Sequence, residues 1–123
     1  MSSELVVIVD DSLTTRKILE RLVQTLGDSL AIQSFAAPDG ALNFCREQTP
    51  DLLVVAERIA GRPTADFIRT LRSESAGADV PILLSATGDD RDGIDHAHAA
   101  GADDHLLAPF DPREFRTRAR STW

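Results

Sequence analysis

Short apolar runs without a polar break, separated by amphipathic stretches, constrain this chain more than any other feature. Leu5 to Val9 reads LVVIV and is followed at once by Asp10 and Asp11, Asp51 to Val55 carries DLLVV, and Pro81 to Leu84 carries PILL. A strand with one wet face alternates apolar and polar residues, so runs that do not alternate predict strands covered on both faces. Between the first two runs, Ile18, Leu19, Leu22, Val23 and Leu26 recur at three- and four-residue spacing. That spacing predicts a helix capped by Ser12 or Thr14 and stopped near Gly27.

The rest of the chain continues the pattern. Leu30 to Phe35 predicts a second strand, and Pro38 to Glu47 a short helix with Ala41, Leu42, Phe44 and Cys45 inward. A helix is expected from Pro63 or Thr64 to Arg72, with Phe67, Ile68 and Leu71 on one side, and SESAGAD reads as a loop. Asp89 to Ala100 predicts a polar, alanine-rich helix ending at Gly101, and His105 to Leu107 a very short fifth strand. The segment from Pro112 predicts a last helix, with Phe115 and Ala119 at four-residue spacing. Five strand–helix alternations with short connections predict an α/β three-layer sandwich with a five-stranded parallel sheet.

At 123 residues the chain is expected to be one domain, residues 1–123. Its formal charge of -7 argues against binding a nucleic-acid backbone or an anionic membrane. The single cysteine, Cys45, excludes a disulfide framework. No apolar run approaches ~20 residues and the N-terminus has no basic region or cleavage site, so a soluble, cytoplasmic protein is expected.

Ligands of such sheets sit at the carboxyl ends of the strands. Asp10, Asp11, Ala56, Ser85 and Ala108 all fall at or just beyond those ends. The acid pair Asp10-Asp11, the PDLLVV strand, Ser85-Ala86 after PILL, and GADDHLLAPF from Gly101 to Phe110 stand in an order and at separations that closely resemble the receiver domain of bacterial two-component response regulators. The resemblance covers essentially the whole chain and implies the flavodoxin-like (CheY-like) (βα)5 fold and no enzyme activity.

The resemblance also implies a site. In the family, two acids after the first strand and a third at the end of the third strand hold magnesium, and the third accepts a phosphoryl group from a histidine kinase. A hydroxyl after the fourth strand and a lysine before the proline after the fifth contact that group. Asp10, Asp11 and Ser85 match; Ala56 stands at the acceptor and Ala108 at the lysine. A methyl group neither attacks phosphorus nor ligates a metal, and crowded carboxylates are one reason such a site needs a cation. The resemblance with these departures implies a degenerate receiver that has lost phosphotransfer and acts through protein–protein contact. No cofactor is then required, and Asp10 and Asp11 alone would bind magnesium only weakly.

The loop after Ala56 departs as well. Arg58 or Arg62 is expected to reach Asp10 or Asp11 and take the place of the metal. Glu57 falls on the opposite side from Ala56 and is expected to be an exposed loop carboxylate; the alternative is a displaced acceptor brought round by a bulge, in a phosphorylation-dependent receiver using magnesium at Asp10 and Asp11. A further alternative is a scaffold or dimerisation module for an attached output domain.

Ser85 and an aromatic residue of the fifth strand form the family's switch, and the aromatic position is His105 here. His96 and His98 do not share a helix face, and the three histidines are read as surface residues. No GxGxxG or GxxxxGK pattern is present. The Ala108-Pro109 bond is cis if the resemblance holds.

TGDDRDGIDHAHAAGADD holds six aspartates against one arginine, whereas PREFRTRARSTW holds four arginines against one glutamate. An acidic fourth helix beside a basic fifth predicts either a homodimer through the face of helix 4, strand 5 and helix 5, or two solvated faces. Expected partners are a histidine kinase, an effector or an attached output domain. Trp123 either packs back on the domain or marks a longer protein whose output domain follows residue 123.

Overall fold

The computed structural model describes residues 4–123. Five parallel strands form the central sheet: β1 (Leu5–Val9), β2 (Ala31–Phe35), β3 (Leu52–Ala56), β6 (Ile82–Ala86) and β7 (Asp104–Leu107), in the order β2-β1-β3-β6-β7. The helices are α1 (Leu13–Gln24), α2 (Pro38–Glu47), α3 (Ala65–Ser73), α4 (Arg91–Ala100) and α5 (Pro112–Thr122). This is the (βα)5, flavodoxin-like (CheY-like) three-layer sandwich.

Strand alternation divides the core in two. Val6, Ile8, Leu52, Val54 and Leu83 face α1 and α5, meeting Leu19, Leu22, Val23, Phe115 and Ala119. Val7, Val9, Leu53, Val55 and Leu84 face α2, α3 and α4, meeting Cys45, Ile68, Leu71 and Ala97. The central strands are buried on both faces because helices cover both. The half-exposed Ala31–Phe35 lies at the sheet edge. Trp123 packs against the α1–α5 side of the core.

Several boundaries differ from the expected ones for local reasons. Ser12, not Thr14, caps α1, its Oγ accepting from the Thr15 N–H at 3.2 Å. The helix ends at Gln24 and its cap is Thr25, whose hydroxyl also donates to the Leu22 carbonyl, so Gly27 stops nothing. Ile18, expected inward, is 45% exposed. Asp51 lies outside β3 and its carboxylate accepts the Leu5 N–H at 2.7 Å. α4 starts two residues late because Asp90 turns back to cap it, accepting from the Gly93 N–H. Ser75–Gly77 forms one 3-10 turn within the expected loop.

One element has no counterpart in the periodicity. β4 (Arg58–Ile59) and β5 (Arg62–Pro63) pair antiparallel as a small hairpin, turning through Ala60 and Gly61. Both turn residues have positive φ, 54° and 76°, as a tight two-residue hairpin turn requires. For Ala60 that conformation is unfavourable. An acid holds it there: Asp11 Oδ2 accepts the Ala60 N–H at 2.7 Å.

Candidate functional site

Register places the site residues side by side. Val9 pairs with Val55 and Ala56 with Ser85, so Asp10, Ala56 and Ser85 form a row across the carboxyl edge of β1, β3 and β6. All three are buried, at 5%, 8% and 5% exposure. Ala108 follows β7, its N–H donating to the Ala86 carbonyl at 2.8 Å, and its bond to Pro109 is cis. A cavity of about 550 Å³ opens over this edge, bounded by Asp10, Ile18, Ala56, Ser85, Ala108 and Phe110 among others.

The two adjacent acids do different things. Asp10 turns inward, and its Oδ1 accepts the Ser12 N–H at 2.8 Å. Burial, with the Asp11 charge beside it, raises its pKa above the ordinary 3.8, against the opposing pull of the Ser12 N–H and Arg16. Asp11 points outward and holds the Ala60 turn. Arg16 donates to the backbone carbonyl of Asp10, not to its carboxylate.

The arginines do not replace a metal as expected. Arg58 Nε donates to Asp90 Oδ2 at 2.6 Å, and neither Arg58 nor Arg62 bonds Asp10 or Asp11 among the described residues. The hairpin explains this: Asp11 takes a backbone N–H of the turn, and Arg58 is carried toward the start of α4. That guanidinium, with the Gly93 N–H, lowers the Asp90 pKa.

Glu57 is not the exposed loop carboxylate that was expected. It is 6% exposed. Strand pairing continues one residue beyond β3, the Glu57 N–H donating to the Ser85 carbonyl at 2.9 Å. Its side chain lies beneath the β6–α4 connection, where Oε1 accepts from the Thr87 N–H at 2.9 Å and the Thr87 hydroxyl at 3.1 Å. Its Oε2 is buried and has no hydrogen-bond partner among the described residues. Glu57 also lines the cavity.

Two histidines expected to be independent surface residues are paired and half-buried. His98 Nε2 lies 2.9 Å from His105 Nδ1, and His98 Nδ1 lies 3.1 Å from the Ala102 carbonyl. The carbonyl can only accept, so His98 carries its proton on Nδ1 and accepts through Nε2 from His105. His105 pairs in register with Leu84, one residue before Ser85, and does not line the cavity.

The magnesium implied by the resemblance does not fit these residues. Asp11 is turned outward onto the Ala60 N–H, Ala56 has no oxygen, and no three of His, Cys, Asp or Glu converge on a metal position among the described residues.

The model of the response regulator receiver domain family matches residues 6–120. The chain belongs to that family. Receivers are regulatory relay modules rather than enzymes, which agrees with the expectation of no enzyme activity. Among curated proteins, this receiver is 34% identical over 113 residues to the cyclic di-GMP phosphodiesterase response regulator RpfG of Xanthomonas campestris pv. campestris, covering 92% of this chain and 30% of RpfG. It is 33% identical over 84 residues to the phosphate regulon transcriptional regulatory protein PhoB of Escherichia coli, covering 68% of this chain and 36% of PhoB. The chain thus spans less than half the length of these curated relatives.

Among solved structures, the receiver domain of the sensor histidine kinase PA1611 from Pseudomonas aeruginosa, with magnesium coordinated in its active site cleft, superposes with a TM-score of 0.87 at 19% identity over 98% of both chains. That likeness concerns the fold. The chain is thus a receiver-type domain of two-component-type signal transduction, and no helix among the described residues is long and apolar enough to cross a membrane.

The sequence pointed to no role for Thr87 or Asp90, nor to the pairing of His98 with His105. Only Asp90 left a signal, a cap residue three positions before Gly93 at the start of a helix.

Proposed function

We propose that this receiver signals by association, without forming an aspartyl phosphate. One observation carries the reading: the residue facing Ser85 across β3 and β6 is Ala56, whose methyl offers no nucleophile. The cation is missing too. Ala108 precedes the cis proline, and the only lysine in the chain, Lys17, sits on α1 with its Nζ 3.5 Å from Glu20. Asp10, Asp11, Ala56, Ser85 and Ala108 then form a vestigial pocket, and the domain presents a recognition surface to a kinase, an effector or an attached output domain.

The second reading is a phosphorylation-dependent receiver with Glu57 as displaced acceptor. It is favoured by the kinship with ordinary response regulators and by the unpartnered Glu57 Oε2. Against it stand the two hydrogen bonds that tie Glu57 to Thr87. A scaffold role for an output domain, and a homodimer through α4, β7 and α5, are compatible with the first reading and rest on the relatives' greater length and on the acidic and basic segments.

Intact-mass spectrometry after incubation with acetyl phosphate and magnesium tests the proposal. No mass gain is expected. Gain of one phosphoryl group would overturn it, and its mapping to Glu57 would establish the second reading.

A further inference from the structure

The row Asp10, Ala56, Ser85 has a gap at its centre. Neighbouring strands lie about 4.8 Å apart, so Asp10 and Ser85 flank Ala56 with a space roughly two strand spacings wide, floored by one methyl. The cavity above continues over Ile18, Ala86, Ala108, Pro109 and Phe110, an apolar wall. Its buried carboxylates are only partly satisfied. Among the described residues, Asp10 accepts one backbone N–H and pairs with no cation, Glu57 Oε2 accepts nothing, and the nearby guanidinium groups are committed, Arg16 to the Asp10 carbonyl and Arg58 to Asp90.

We propose that this cavity binds a primary ammonium group on a short apolar stem, with the ammonium over the Ala56 methyl between Asp10 and Ser85 and the stem along Ala108 and Phe110. The inference rests on the reading that position 56 carries no phosphoryl group. An ammonium brings three donors and no acceptor, which suits carboxylates short of donors. A magnesium ion would need several converging oxygens, and the row offers only one carboxylate and one hydroxyl. A neutral apolar ligand would fill the wall and leave Asp10 as it is. Two sources present this chemistry, a free alkylamine and a lysine side chain of a partner protein.

Amide-resolved NMR titration of the 123-residue chain with n-pentylammonium tests the proposal, with 1-pentanol as the uncharged control. Saturable shifts at Ala56, Ser85 and Ala108 are expected, with binding of pentanol weaker by about tenfold or more, the scale of a lost charge-assisted hydrogen bond. Asp10→Asn keeps the acceptor for Ser12 and should weaken pentylammonium by a similar factor. Ala108→Lys supplies an ammonium from the chain itself and should abolish the binding. A short peptide with one lysine, run beside the free amine, assigns the source to whichever binds tighter.

Equal affinity for pentanol, unchanged affinity in both variants, or no saturable shift would overturn the inference. The acetyl phosphate experiment is separate. Absence of ammonium binding without mass gain removes this inference alone, whereas mass gain removes the reading beneath it.

Discussion

Glu57 and Thr87 are joined twice through one oxygen: the carboxylate Oε1 accepts both the backbone N–H and the hydroxyl of Thr87. Glu57→Ala should therefore destabilise the domain by about 1–3 kcal/mol, because it leaves the Thr87 N–H without its acceptor. Thr87→Val removes only the hydroxyl bond and should cost less. Urea unfolding of the two variants checks the order, and equal costs would mean that the backbone bond contributes nothing.

Asp10 sets a pH dependence of unusual sign. Burial raises its pKa in the folded chain, so the folded state holds the proton more tightly than the unfolded state. Its contribution is fully favourable below the ordinary value of 3.8 and is lost as pH rises through the folded pKa. Asp10→Asn should stabilise the domain at neutral pH, by an amount that shrinks on acidification. Urea midpoints across the acid range read this directly; a gain constant with pH would show that the carboxylate charge is not the cause.

Glu20 runs the other way. The Ser34 hydroxyl, 2.7 Å away, is the main cause that lowers its pKa. The stability it contributes is present above the unfolded value and is lost as pH falls through the folded one. Ser34→Ala should move the Glu20 side-chain titration upward in NMR, and an unmoved titration would assign the shift to Lys17 and Arg16.

The histidine pair fixes its tautomers. Long-range proton–nitrogen correlation should show neutral His98 protonated on Nδ1, with neutral His105 also protonated on Nδ1. A His98 proton on Nε2 would mean that the pair is broken in solution.

Cys45 is 1% exposed and burial pushes its pKa up to about 11. Thiolate is the reacting species, so native Cys45 should resist alkylation and react at a rate that follows unfolding. Rapid labelling of the folded chain would show that α2 opens locally.

The strands and the core were legible because buried parallel strands write themselves as apolar runs, as Val6 to Val9 and Leu52 to Val55 do. The row Asp10, Ala56, Ser85 was legible because strand ends in such a sheet share one edge. The hairpin at Arg58–Ile59 and Arg62–Pro63 was not, since two-residue strands are too short to show a period. Glu57 was misjudged because its burial depends on Thr87, thirty positions away in the chain. The His98–His105 pair joins the end of a helix to the following strand, a contact that spacing along either element does not reveal.

Glu57 and Arg58 are consecutive, yet each grips a different point of the segment leading into α4, Thr87 and Asp90. The chain that enters α4 is thus tied by two neighbouring side chains to the residues that directly follow the cavity floor at Ala56. The loop after β3 and the loop after β6 share their polar contacts, so a substitution in either one removes a partner from the other.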